Sequence, residues 1–188
     1  MLFHLDRRTF LKRFFEGLLT LIGLSGGTYY YAREIEPSML QLTQEYIYSS
    51  KIPPPFNQFK IVQFSDTHIG FHYSLEQLET LVQKINEQKP DVIVFTGDLV
   101  DEPQAYSFHH QISEILMKLE AKHGKFWIYG NHDHGGYGTD IILDIMNKSH
   151  FQLLKNEHAI INVQDEQITF AGLDDAILGD PNFDLTFQ

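Results

Sequence analysis

One pattern limits the fold of this chain more than any other. A short apolar run, a polar cluster and an amphipathic stretch follow one another in that order three times. The apolar runs are residues 59–65, 92–96 and 126–129. Each is β-rich, and Val-Ile-Val-Phe-Thr at 92–96 has the continuous apolar character of a strand covered on both faces of a parallel sheet. The polar clusters are Asp66-Thr67-His68, Gly97-Asp98-Leu99-Val100-Asp101 and Gly130-Asn131-His132-Asp133. Asp66 and Asp98 are 32 residues apart, and Asp98 and Asn131 are 33 apart. Each interval holds one strand–helix–strand crossover of about 30 residues or more. Such crossovers are right-handed and make the strands parallel, so every strand ends on the same edge of the sheet. Ligand sites of open α/β sheets lie along that edge.

The intervening stretches read as helices. Ser74 begins the first, with Gln77 three residues on as a capping box. Leu75, Leu78, Leu81, Val82 and Ile85 share one face of it, and Lys89-Pro90 ends it. A second helix is expected over about residues 104–120, with Ile112, Ile115, Leu116 and Leu119 inward. A third covers 139–147, with Ile141, Ile142, Ile145 and Met146 inward. Two further β-like runs follow at 159–163 and 167–171, separated by Gln164-Asp165-Glu166. The expected class is α/β.

The N-terminal part is different. Arg7, Arg8, Lys12 and Arg13 stand against a single Asp6, although the whole chain of 188 residues has a net charge of −11. A 19-residue run from Phe14 to Ala32 follows, apolar apart from Glu16 and several small or hydroxyl residues. A basic block ahead of an apolar run is the layout of a targeting segment. Arg7-Arg8-Thr9-Phe10-Leu11-Lys12 resembles the twin-arginine export signal, with Asp6 where Ser or Thr is commoner. Residues 1–32 are therefore expected to be a hydrophobic N-terminal helix, serving as an export signal or membrane anchor. The protein is then expected to be anchored or exported, on the extracytoplasmic face. The run is close to bilayer-spanning length and carries no Ala-x-Ala site, so an uncleaved anchor is favoured; Gly and Ser could still serve for cleavage. Residues 33–58 are a connector, with Pro53-Pro54-Pro55 stiff, extended and closed to helix and 44–48 a candidate edge strand.

Composition removes several functions. The chain has no cysteine, which excludes disulfide scaffolds, cysteine zinc sites and thiol nucleophiles. Its acidity makes a phosphate backbone a poor partner, so no nucleic acid is expected. The three clusters instead offer carboxylate, imidazole and amide donors, a set suited to zinc, iron or manganese. Asp66 and His68 can turn toward one ion, and Asp98 has two oxygens with which to bridge two.

The set Asp66-x-His68, Gly97-Asp98-x-x-Asp101 and Gly130-Asn131-His132-Asp133 resembles the calcineurin-like metallophosphoesterase family. With the N-terminal segment, it is most similar to that family's twin-arginine-exported bacterial branch. The resemblance covers about residues 59–175 and implies two β-sheets packed as a sandwich, flanked by helices, around two divalent metal ions (Mn, Fe or Zn). On this resemblance Asp66 and His68 hold the first ion, Asp98 bridges both and Asn131 holds the second. His132 acts on the leaving group, Asp133 orients His132, and Asp101 lies behind the ligands. The implied reaction is hydrolysis of a phosphate ester or diphosphate by a hydroxide bridging the ions. Membrane placement suits a lipid-linked substrate. The resemblance also implies a later isolated His and a Gly-His-x-His, and neither is found up to Gln188. Residues 59–188 therefore read as the N-terminal part of a longer domain with an incomplete second sheet, inactive if those histidines are required. A non-catalytic, membrane-associated interaction module on the same fold is the alternative. His109, His110, His123, His150 and His158 read as loop or strand-end residues, and His72 and His134 as surface imidazoles near the site.

Overall fold

The computed structural model describes residues 6–31, 33, 40–71, 73–134 and 138–187; Ala32 and His72 lie outside the described residues. The chain divides into two units, Met1–Gln41 and Leu42–Gln188.

Among its described residues the first unit holds the helix α1 (Arg7–Tyr30), exposed along its whole length. The expected helix forms, but it is not the apolar span that the sequence suggested. No helix among the described residues is long and apolar enough to cross a membrane. Glu16, Gly17, Gly23, Gly26 and Gly27, with the hydroxyls of Thr20, Ser25 and Thr28, dilute the leucines between them.

In the second unit, residues 44–48 form no strand among the described residues: they are irregular, and Tyr46, Ile47 and Tyr48 are exposed. The prolines bar an α-helix, as expected, yet a single 3-10 turn, Pro54–Phe56, forms behind Pro53. Proline needs no N–H donor at the start of such a turn. The turn places Phe56 in the core.

Four strands follow: β1 (Ile61–Phe64), β2 (Val92–Phe95), β3 (Lys125–Trp127) and β4 (Gln152–Leu153). They pair in parallel in the order β1-β2-β3-β4. The crossovers are α2 (Leu75–Glu87), α3 (His109–Met117) and α4 (Thr139–Lys148). Same-handed crossovers between sequential neighbours deposit their helices on one face of the sheet.

The side-chain alternation shows this. Phe64, Ile93, Phe95 and Trp127 pack with Leu78, Val82 and Ile85 of α2, Ile112 and Leu116 of α3, and Ile142, Ile145 and Met146 of α4. Val92, Val94, Phe126 and Ile128 point to the other face. There they meet Ala159, Ile161 and Val163 of β5 (Glu157–Val163) and Ile168 and Phe170 of β6 (Glu166–Gly172). Strands β5 and β6 form an antiparallel hairpin. A short helix, α5 (Phe183–Thr186), follows it.

Local chemistry fixes the ends of these elements. The capping box at α2 is present: Ser74 Oγ accepts the Gln77 N–H at 3.3 Å, and Gln77 Oε1 accepts the Ser74 N–H at 2.7 Å. Such a cap is worth about 1 kcal/mol, and each fully buried leucine or isoleucine about 1.5–3 kcal/mol. The helix expected over 104–120 is shorter, because residues 101–108 form the loop that leaves the site. Strand β4, two residues long, carries too little pattern to stand out in sequence.

Lys125 is the anomaly of the core. Its side chain lies on the helix-covered face, buried, with Nζ 3.5 Å from the Leu116 carbonyl oxygen and 5.1 Å from the centre of the Phe151 ring. Burial pulls its pKa down from 10.5 to about 8. Between those values the unfolded chain binds one more proton than the folded one, so stability rises with pH across that window and the gain is absent below it. Urea unfolding at pH 7 to 10 is expected to show Lys125→Met losing this rise, a difference from wild type of roughly 1–3 kcal/mol over the window.

Candidate metal and phosphoester site

Beyond the ends of β1 and β2 the two chains stay paired although they are no longer strands. Asp66 N–H donates to Gly97 O at 3.0 Å, His68 N–H to Asp98 O at 3.1 Å and Ile69 N–H to Leu99 O at 3.0 Å. Thr67 Oγ1 adds a bond to Leu99 O at 2.8 Å. The loop after β1 is thereby held against the loop after β2. Asp66, His68 and Asp98 all have positive φ, at 52°, 40° and 63°. Non-glycine residues rarely adopt that conformation and do so disproportionately at functional sites. Gly97, at φ 100°, abuts the main chain of Gly130 so closely that a Cβ would overlap it. This contact brings the third cluster to the other two.

Asp133 ties the arrangement. Its carboxylate is fully buried and accepts three main-chain N–H groups: Asp98 at 2.6 Å, Leu99 at 3.0 Å and Gly130 at 3.1 Å. Burial pushes its pKa up; the N–H groups of Gly130, Leu99 and Asp98 pull it back, and the Asp98 charge adds to the rise, leaving it above the usual range. The sequence suggested that Asp133 orients His132. Its oxygens are instead occupied by main-chain donors inside the protein. Asp101 lies beside the ring: His132 Nδ1 is 3.3 Å from the Asp101 carbonyl oxygen and 4.0 Å from its carboxylate. The same carboxylate is 3.3 Å from His68 Nδ1. Asp101, expected only behind the ligands, thus faces both imidazoles.

Donor atoms of Asp66, His68 and Asp98 lie within 4.8 Å of one another, as do those of His68, Asp101 and His132. His68 Nε2 is 3.8 Å from Asp98 Oδ2. Asp98 Oδ1 is held by the His132 N–H at 2.8 Å. One oxygen of Asp98 is therefore fixed by the main chain while the other faces His68. His68 Nδ1 is buried without a well-aligned hydrogen bond. An imidazole that presents Nε2 to a cation and Nδ1 to a carboxylate is the usual form of a histidine ligand. Two carboxylates and one imidazole fit a divalent ion of the zinc, iron or manganese type. The His68 and His132 rings meet edge to face at 4.7 Å. Asn131 is half-buried on the turn between Gly130 and His132.

The sequence reading missed a second polar cluster beside this turn. His134, expected to be a surface imidazole, is largely buried, with Nε2 2.7 Å from Asp174 Oδ1. Asp174 follows β6 and is buried. Burial raises its pKa, but the Asp180 N–H, the His134 imidazole and the Asp175 N–H outweigh that and hold it low. The available signal was the same as at the other loops: an aspartate just after an apolar β-run. The remaining described histidines are structural or peripheral. His109 contacts Pro103 O, His158 contacts Thr186 O, His123 stacks on Phe59, and His110 and His150 are exposed.

The comparisons agree with this geometry. The profile described as Metallophos, calcineurin-like phosphoesterase, matches residues 59–185. An uncharacterized metallophosphoesterase of Bacillus subtilis, YkuE, is 45% identical over 98% of this chain and 65% of its own length. The UDP-2,3-diacylglucosamine pyrophosphatase LpxG of Chlamydia muridarum is 32% identical over 64% of this chain and 36% of its own. A transmembrane protein with a metallophosphoesterase domain from Danio rerio is 29% identical over 66% of this chain and 29% of its own. The chain thus spans about two thirds or less of the length of these curated relatives. With its strand-end carboxylates and imidazoles gathered on one edge of a parallel sheet, the chain belongs to the calcineurin-like phosphoesterase family.

Proposed function

We propose that this chain carries the N-terminal ligand set of a metal-dependent phosphoesterase acting on a phosphate ester or diphosphate. The observation that carries this reading is the meeting of Asp66, His68 and Asp98 donors within 4.8 Å, with the His132 ring beside them. Asp66 and His68 would hold one divalent ion, Asp98 could share its carboxylate with a second, and Asn131 would offer that second ion an amide oxygen. Such ions, when bound, neutralise charge on the phosphoryl oxygens and lower the pKa of water. The protein's own part is positioning and proton transfer. The Asp101 carbonyl oxygen accepts a hydrogen bond from His132 Nδ1–H, which leaves a protonated Nε2 to give its proton to a departing alkoxide and the ring neutral afterwards.

Substrate and location belong to the same proposal. A relative is named as a pyrophosphatase of a diacylated nucleotide sugar, which supports a lipid-linked diphosphate here. Arg7, Arg8, Lys12 and Arg13 precede or sit among the exposed Phe10, Leu11, Phe14 and Phe15 of α1. That chemistry suits export through the twin-arginine machinery and contact with an anionic lipid surface.

The test is a panel of phosphodiesters, phosphomonoesters and lipid diphosphates with Mn²⁺, run on this chain and on one extended through the downstream reading frame. Metal-dependent turnover is expected for one of these classes. Its absence from both proteins, with no metal bound, favours an interaction module. Asp98→Asn is expected to weaken Mn²⁺ binding by more than about 100-fold, beyond the ~10–100-fold typical of groups behind the ligands; dialysis and metal analysis check this. His132→Ala is expected to slow alkyl esters by about 10²–10⁴-fold. It should slow p-nitrophenyl esters far less, because that leaving group departs without a proton, and it should leave metal content unchanged.

A further inference from the structure

The turn that carries Asn131 and His132 is held from two sides. On one side Asp133 locks it to the loop after β2. On the other stands Asp174, at the end of the hairpin that covers the opposite face of the sheet. The Asp174 carboxylate is itself immobilised, Oδ1 accepting the Asp175 N–H at 3.0 Å and Oδ2 the Asp180 N–H at 2.9 Å. Asn156 fixes the surrounding main chain: its Oδ1 accepts the N–H groups of Asp174 and Asn182, and its Nδ2 donates to Asp180 O. Against this prepared carboxylate lies His134 Nε2, at 2.7 Å. The His134 ring packs edge-on to Tyr129 at 4.9 Å, and the main-chain N–H of His134 donates to the Asn131 carbonyl at 3.4 Å. Tyr129 and His134 bracket the 130–133 turn in sequence, so the imidazole carried at one end of the turn packs on the residue at its other end.

We propose that Asp174 and His134 are a positioning pair for the phosphoesterase site described above, on whose reading the metal arm of this inference rests. The carboxylate fixes the imidazole, and the imidazole fixes the turn that presents Asn131 and His132. The ring's contact with Tyr129 ties the pair to the 130–133 turn, so the pair acts on the half of the site that this turn carries. Charge-assisted bonds between buried partners are short and directional, which suits them to holding a turn. Lys155 approaches the same carboxylate, with Nζ 3.4 Å from Oδ2, and the Tyr129 ring, 5.9 Å from its centre, but it is half exposed and both contacts are longer than the His134 bond.

The experiment uses the full chain with Asp174→Asn, His134→Gln and Lys155→Met, each checked for folding by its thermal transition. The imidazole signals of His132 and His68 and the side-chain amide of Asn131 are followed by NMR without metal, and Mn²⁺ affinity is measured separately. Asp174→Asn is expected to shift the His132 and Asn131 signals, leave His68 in place and weaken Mn²⁺ binding about 10–100-fold. His134→Gln, which keeps a side-chain donor, should give a smaller shift of the same signals, and Lys155→Met, which removes only the longer contacts, the smallest. Unmoved His132 and Asn131 signals in a folded Asp174→Asn chain overturn the proposal. So does an equal effect of Lys155→Met. If Asp174→Asn does not fold, the His134→Gln signals decide in the same way. A wild-type chain that binds no Mn²⁺ rejects the phosphoesterase reading, while the NMR shifts still decide the positioning role.

Discussion

One buried carboxylate holds the candidate site together. Asp133 has no access to solvent, and its oxygens accept the N–H groups of Asp98, Leu99 and Gly130. These donors come from the ends of two different strands. Without such an acceptor, three N–H groups would be buried unpaired, at about 1–3 kcal/mol each. The contact of Gly97 with Gly130 depends on the same clasp, because nothing wider than hydrogen fits between those main chains. Asp98, His132 and Asn131 then take their places from main-chain geometry rather than from side-chain packing.

The layers around the sheet divide the work. Helices α2, α3 and α4 supply most of the buried apolar surface and fix the strands. The hairpin β5-β6 covers the opposite face with a smaller apolar cluster that includes the stacked rings of Phe126 and Phe170. It also delivers Asp174 to the edge where the strands end. The site lies at the rim shared by both layers, so a change in hairpin packing reaches it through Asp174, and a change in helix packing reaches it through the strands themselves.

Much of this was legible in sequence because it rests on period and spacing. The parallel strands, the inward faces of α2 and α4 and the capping box at Ser74 each follow from local pattern. The convergence of Asp66, His68 and Asp98 follows from crossover spacing alone. What pattern could not show was which carboxylate meets which imidazole. Asp101 and Asp133 are similar in type and position; only the path of the main chain determines that Asp133 turns inward to N–H groups while Asp101 faces the rings. The His134–Asp174 pair spans 40 residues and two layers, beyond the reach of any periodicity. The apolar run after Phe14 misled because its length resembles a bilayer span while its glycines and Glu16 lower its apolar character.

The left-handed backbone at Asp66, His68 and Asp98 has an evolutionary consequence. Aspartate, asparagine and histidine are the non-glycine residues that tolerate that conformation best. They also carry the oxygen and nitrogen atoms that hard and borderline cations prefer. The backbone and the proposed metal would therefore apply the same filter, and the alphabet open to these positions is very small. Glutamate keeps the charge but lacks the short side chain that relieves the strained conformation, so even an acid-for-acid exchange is disfavoured twice. Drift at this edge of the sheet should run among aspartate, asparagine and histidine, and at a metal site would change the ion preferred before abolishing binding.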